Sequence, residues 1–164
     1  MFQLVKQQAK IASVNPRSEK HGKENVPAID VKFQIRTRSH VLDGLDPTLR
    51  KLLFRKPAKD EVVQGELPVG DTEDLTARKF KQVGMIPWTE KLLGYQLDIG
   101  SGLESTTALE CDDVTVSAFK IEPLDGGSVC LDFTCSFPAD EVQSGKLCQM
   151  IQETVEITLV PPSE

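Results

Sequence analysis

The sequence predicts a mainly β fold, an antiparallel β-sandwich or open barrel of about eight strands with one or two short helices. Several segments alternate apolar and polar side chains with a period of two, which is typical of strands with one buried face. Asp125-Gly126-Gly127 separates two such segments and supplies the positive-φ residues of a hairpin turn. The 164 residues are enough to bury one core, so we expect a single domain over residues 1–164.

The strongest strand signal lies in residues 28–38. Its alternating apolar side is formed by Ile29, Val31, Phe33, Ile35 and Thr37. Residues 3–14 also have extended character, and we expect them to pair with residues 28–38 across a polar loop of residues 15–26.

Further strands are predicted downstream. Residues 114–122 and 128–137 form a hairpin around the Asp-Gly-Gly turn. Residues 93–99 form another strand, whose inward positions are Leu93, Tyr95, Leu97 and Ile99. Residues 153–160 form the closing strand, which ends at Pro161 because proline cannot extend a hydrogen-bonded ladder.

Helical signals are few and short. Asp46 followed by Pro47 indicates a helix start, and Leu49, Leu52 and Leu53 then form an apolar stripe. A second helix is predicted at about residues 139–150. Residues 56–76 contain prolines, glycines and acidic residues, which indicates a long surface loop.

The cysteine pattern indicates neither a metal site nor a cofactor. No two of Cys111, Cys130, Cys135 and Cys148 have the spacing of a zinc ligand pair. Cys130 and Cys135 are five residues apart in one predicted strand and therefore face opposite sides of the sheet. We expect the cysteines to be small buried hydrophobic residues in a reducing compartment.

Charge is divided unevenly along the chain. Residues 1–59, the basic hairpin and short helix, contain 13 Lys and Arg against 5 Asp and Glu, a net charge of +8. Residues 60–164, the acidic β-rich remainder, contain 6 against 20, a net charge of −14. Such asymmetry predicts a charged partner. The alternative is that opposite charges meet on one solvated surface and contribute little.

The basic residues concentrate in the loop of residues 15–26, on the polar face of residues 28–38, and around the first helix. If these regions adjoin in space, they form a stripe that can neutralise phosphates. Trp88 is a candidate anchor for a partner or a plug of the fold. Phe54 is the one candidate for an exposed ring beside basic residues, although a phenylalanine at a helix end is more often part of the core. The candidate residues for binding a partner or nucleic acid are Arg17, Lys20, Lys23, Arg36, Arg38, Arg50, Lys51, Arg55, Lys56 and Trp88.

We expect no catalytic activity. Asp30-Val31-Lys32 matches the short acid-x-lysine element of metal-dependent nucleases, but the spacing provides no second acid on a neighbouring strand. The sequence also has no apolar run of roughly 20 residues and no secretory signal at its start, so we expect neither membrane insertion nor secretion. A homodimer through the edge strands of a sandwich is a further expectation.

Several segments together carry a family resemblance. They are residues 15–22 (NPRSEKHG), 26–30 (VPAID), Trp88 with residues 94–97 (GYQL), 125–129 (DGGSV), 145–147 (GKL) and 157–162 (ITLVPP). In this order the chain resembles small uncharacterised proteins of tailed bacteriophages and prophages, which tend to be encoded in the early region among genes for DNA replication and recombination. The resemblance implies a viral protein in the cytoplasm of the infected host cell and transfers no activity.

Three classes of function follow from these observations. The first is a non-catalytic interaction module that binds a host or phage protein in DNA metabolism or counter-defence. The second is a protein that binds single- or double-stranded nucleic acid through the basic hairpin and helix. The third is an enzyme or small-ligand binder, which a deep pocket with convergent acids would support.

Overall fold

The computed structural model describes residues 1–61, 75–100 and 109–163. Its strands are β1 (Leu4–His21), β2 (Glu24–Arg38), β3 (Phe54–Arg55), β4 (Ala77–Arg78), β5 (Ile86–Trp88), β6 (Leu92–Gly100), β7 (Leu109–Pro123), β8 (Ser128–Pro138) and β9 (Thr154–Val160). Its helical elements are a 3-10 helix (Ser39–Gly44), α1 (Leu49–Leu53) and α2 (Glu141–Gln149).

Six strands form a closed antiparallel barrel in the order β7-β6-β9-β1-β2-β8, and β8 pairs with β7 to complete the ring. β5 is an additional strand on β7, while β3 and β4 form a separate two-stranded ladder. The mainly β prediction is confirmed, but the expected sandwich or open barrel is wrong. Because β9 inserts between β1 and β6, every described barrel strand pairs with two neighbours. The homodimer stays a prediction.

The middle of the barrel is filled by four phenylalanine rings. Phe133 has ring-centroid distances of 6.1 Å to Phe2, 5.8 Å to Phe33 and 6.0 Å to Phe119. Phe2 also meets Phe119 edge to face at 5.4 Å. All four rings are buried, and a barrel of only six strands is narrow enough for its side chains to fill the interior.

The first hairpin is longer than predicted. β1 and β2 pair as expected, with Ile29, Val31, Phe33 and Ile35 buried, but the predicted polar loop of residues 15–26 is wrong. Both strands continue through it to a tight turn at Gly22, whose φ is +67°. Neither barrel neighbour pairs with residues 17–27, which we call the arm. Because the arm is exposed to solvent, its residues need not alternate between apolar and polar. The alternating pattern in the sequence therefore ends before the hydrogen-bonded pairing of β1 with β2 does.

The β7–β8 hairpin is confirmed, and its turn uses positive φ at Gly126 and Gly127. The closing strand β9 buries Val155, Ile157 and Leu159 as predicted. The prediction that Leu93 faces inward is wrong, because its side chain is 65% exposed. Gly94 has a φ of +72° beside a register shift in β6, and this kink turns Leu93 outward while Tyr95 stays buried.

Both predicted helices form. α2 begins at a capping box in which Asp140 accepts a hydrogen bond from the Gln143 N–H at 2.7 Å. α1 begins at Leu49, later than Asp46-Pro47 predicts, because the Asp46 carboxylate holds the N–H and hydroxyl of Thr48 in a turn before the helix. Most of the predicted long loop, residues 62–74, lies outside the described residues.

Cys130 and Cys135 face opposite sides of β8, as predicted, since Cys135 is buried and Cys130 is only partly so. Burial was the wrong expectation for Cys148, which is exposed on α2. Desolvation raises the pKa of the buried Cys111 thiol to about 12. Within the described ranges, no helix has the length and apolar character needed to span a membrane.

The aromatic cluster predicts a large response to truncation of its central ring. Phe133→Ala removes contacts with three other rings, and we expect a loss of about 3–5 kcal/mol in the free energy of unfolding. Chemical denaturation of both proteins measures the difference. The control Val142→Ala changes a side chain that is 65% exposed and should leave the midpoint nearly unchanged. Equal midpoints for Phe133→Ala and the parent protein would contradict a core organised around this ring.

Candidate interaction surface

Several of the predicted basic residues are neutralised by carboxylates. Arg17 donates to Asp30 at 2.8 Å and also contacts Glu19. Arg50 lies 3.2 Å from Asp43. The two terminal nitrogens of Arg55 hold both oxygens of Glu61, at 2.7 and 2.9 Å. Such exposed pairs contribute little stability, but they reduce the positive charge available to a phosphate.

The remaining predicted cations are exposed and lie in separate places. They are Lys20, Lys23, Arg36, Arg38, Lys51 and Lys56, and none of the six forms an ion pair with another described residue. Lys23 lies at the tip of the arm, whereas Arg36 and Arg38 lie at the far end of β2. At ~3.3 Å per residue the strand separates Lys23 from Arg36 by roughly 40 Å. The basic residues at the tip of the arm and those at the far end of β2 therefore do not form one continuous stripe along the strand.

The acid-x-lysine element is likewise occupied by internal contacts. Asp30 accepts from Arg17, and the Lys32 ammonium lies 3.5 Å from a carboxylate oxygen of Asp132. Asp132 is the acid on a neighbouring strand that the spacing does not reveal, and Gln34 also donates to it. In the ranges covered by the structure, no group of three or more His, Cys, Asp or Glu side chains is arranged to hold a metal ion.

A pocket of about 510 Å³ opens at the end of the barrel beside the N-terminus, and we call it the end pocket. Its apolar lining comprises Met1, Phe2, Leu45, Pro47, Leu92, Leu93, Tyr95 and Pro162. Asp43, Glu90 and Lys91 are its charged residues. The floor is fixed by a buried hydrogen bond from the Tyr95 hydroxyl to the Phe2 carbonyl at 3.0 Å.

Gly44 allows the N-terminal segment to seat against this floor. A Cβ at position 44 would lie 2.8 Å from the Phe2 Cα, closer than side chains tolerate, so only glycine permits the approach. Leu93 and Met1 form the outer wall and are 65% and 74% exposed. Exposed apolar side chains gathered around a concavity are typical of interaction sites.

A second concavity of about 460 Å³ adjoins the end pocket, with which it shares Leu45 and Glu90. We call it the Trp88 groove, and its lining residues are Leu45, Asp46, Pro87, Trp88, Thr89 and Glu90. The Trp88 indole N–H donates to the Glu90 carboxylate at 3.0 Å, which fixes the ring. Trp88 is partly buried, so it both packs on the core and lines the groove.

The sequence identifies Trp88 but not the pocket beside it. Phe54, the other aromatic candidate, is 1% exposed and belongs to the core, as is more common for a phenylalanine at a helix end, so it provides no exposed ring beside the basic residues. In the sequence, Leu93 occupies a strand position that is predicted to face inward. Met1 and Pro162 line the same pocket only because β1 and β9 pair. The glycine next to Leu93 is the one local signal, since glycine inside a strand often marks a bulge.

Comparisons with models of protein families, with curated proteins and with solved structures give no match for this chain. Functional inference for this molecule therefore rests on the geometry and charge of its side chains.

The Arg55–Glu61 pair predicts an acid-shifted titration. The Arg55 guanidinium, together with the Ala58 N–H, lowers the pKa of Glu61 from 4.5 to about 2. A depressed carboxyl pKa means that the contact stabilises the fold above about pH 4.5 and is lost as pH falls towards 2. NMR titration of the Glu61 carboxyl carbon should show this midpoint, and Arg55→Gln should return it towards 4.5. An unchanged midpoint in that variant would show that Arg55 is not the cause.

Proposed function

We propose that this protein is a non-catalytic interaction module that binds a segment of another protein in the end pocket and the Trp88 groove. The observation that carries the proposal is an apolar concavity of about 510 Å³ with an exposed leucine and methionine on its wall. Apolar concavities of this size are typical of ligand-binding sites, and exposed apolar side chains around a concavity are typical of sites that bind other proteins. The adjoining Trp88 groove provides an aromatic anchor of the kind enriched in energetically important contacts.

The rigidity of the pocket floor supports this assignment. The Tyr95–Phe2 hydrogen bond and the close approach at Gly44 order the N-terminal segment before any partner arrives. A preorganised surface loses less conformational entropy on binding than one that must be ordered by its partner. The aromatic filling of the barrel favours recognition on the outside of the molecule over a ligand held within it.

The phage resemblance supplies the biological part of the proposal. It suggests a host or phage protein as the partner, in DNA metabolism or counter-defence, within the cytoplasm of the infected cell. An interaction module needs only a stable scaffold and an accessible surface, and the closed barrel with its end pocket meets both needs.

Nucleic-acid binding is the alternative, supported by the exposure of Arg36 and Arg38 at the end of β2. The pairing of Arg17, Arg50 and Arg55 with carboxylates favours the protein partner instead. A salt titration with single- and double-stranded oligonucleotides separates the two. If the protein neutralises phosphates, affinity must fall steeply with salt and weaken in Arg36→Ala and Arg38→Ala. We expect no salt-dependent affinity, and steep salt dependence together with weakening in both variants would favour nucleic acid.

The pocket proposal predicts that a charge on its wall abolishes partner binding. Leu93→Asp places a carboxylate among apolar contacts, and we expect at least about a tenfold loss of captured partner because burying that charge is unfavourable. Affinity capture from infected cells, quantified by mass spectrometry, measures the loss. Val142→Asp is the matched control, since Val142 on α2 has the same 65% exposure and lies outside the pocket. Partners retained equally by both variants would place the binding surface elsewhere.

A further inference from the structure

The Trp88 groove differs in charge from the rest of the surface around it. Two of its six lining residues are the carboxylates Asp46 and Glu90, and no cation lines it among the described residues. The end pocket next to it contains Lys91, and its Asp43 is already paired with Arg50. Uncompensated negative charge therefore concentrates at the Trp88 end of the two joined cavities.

Both carboxylates are held in place by hydrogen bonds that leave oxygen lone pairs free. Glu90 accepts from the Trp88 indole N–H at 3.0 Å. Asp46 accepts from the Thr48 N–H at 2.7 Å, and bonds from Thr48 lower the pKa of Asp46 and keep it ionised. The groove therefore brings an aromatic ring and two carboxylates together, which is a favourable environment for an organic cation, since the ring quadrupole and the charges both attract it.

We propose that the Trp88 groove binds the cationic side chain of an arginine or lysine in the partner segment, while an apolar neighbour of that residue occupies the end pocket. The inference rests on the proposed function, because it assigns the chemistry of the partner at the same site. Leu45 and Glu90 border both cavities, so a cationic and an apolar side chain two positions apart on one extended segment, which point to the same side, reach the two at once.

Short peptides test the cation directly. The probes are acetylated, amidated Gly-Leu-Gly-Arg-Gly and the same peptide with citrulline in place of arginine, which keeps the shape and removes the charge. Trp88 is the only tryptophan, so its indole N–H gives one assignable NMR signal that reports occupancy of the groove. We expect the arginine peptide to bind about fivefold more tightly than the citrulline peptide.

Charge-removing variants identify the groups responsible. Glu90→Gln and Asp46→Asn retain the acceptor atoms that bond Trp88 and Thr48, and each should weaken the arginine peptide about threefold with little effect on the citrulline peptide. Glu153→Gln removes an exposed carboxylate at the start of β9 outside the groove and should behave as the parent protein. Equal affinities of the two peptides, or no shift of the indole signal with the arginine peptide at millimolar concentration, overturn the inference.

The outcomes separate this inference from the proposed function. If Leu93→Asp loses the captured partner but arginine and citrulline peptides bind alike, the pocket binds a protein and the cation assignment fails. If the arginine peptide binds through Glu90 and Asp46 but Leu93→Asp retains every partner, the cation site stands and the end pocket is not the docking surface.

Discussion

Insertion of β9 between β1 and β6 is the constraint on which the rest of the molecule depends. It joins the N-terminal hairpin to the β6–β7–β8 meander on one side, while the β2–β8 ladder joins them on the other. Closure encloses one small interior, which the four phenylalanine rings fill. It also brings Met1, Leu93 and Pro162 to one end of the barrel, although they are distant in sequence. The end pocket is thus a product of barrel closure rather than of any local motif.

Local structure was predictable wherever one face of a strand is buried. The alternation in β2, β8 and β9, the Asp-Gly-Gly turn and α2 follow from residue type and period, because burial and turn geometry act over a few residues. Closure was not predictable, since a sandwich and a barrel place the same alternating side chains inward. The extended strands of the arm were not predicted, because both of their faces are exposed to solvent. Leu93 was misplaced because a positive φ at Gly94 reverses the pattern within a strand.

The candidate site was only partly visible in the sequence. Trp88 stood out as the single tryptophan, but its relation to Asp46, 42 positions earlier by residue number, exists only in the folded chain. The net charge of +8 in residues 1–59 does not show where its cations lie in the fold. Pairing across strands and within loops places carboxylates beside Arg17, Arg50 and Arg55, and the length of β2 separates the exposed cations. Charge counted along a chain predicts the sign of a surface only when topology keeps the charged residues together.

The attachment of β5 bears on the interaction surface proposed above. Among the described strands, β5 pairs only with β7, through Ile86, Pro87 and Trp88, whereas each barrel strand is held on two sides. Displacing it disturbs few hydrogen bonds, and Pro87 contributes no N–H to them. The β5 backbone can therefore shift more readily than the barrel strands and the floor of the end pocket. For the proposed interaction module, a fixed pocket floor beside a movable β5 would suit recognition of several related sequences more than of one invariant sequence.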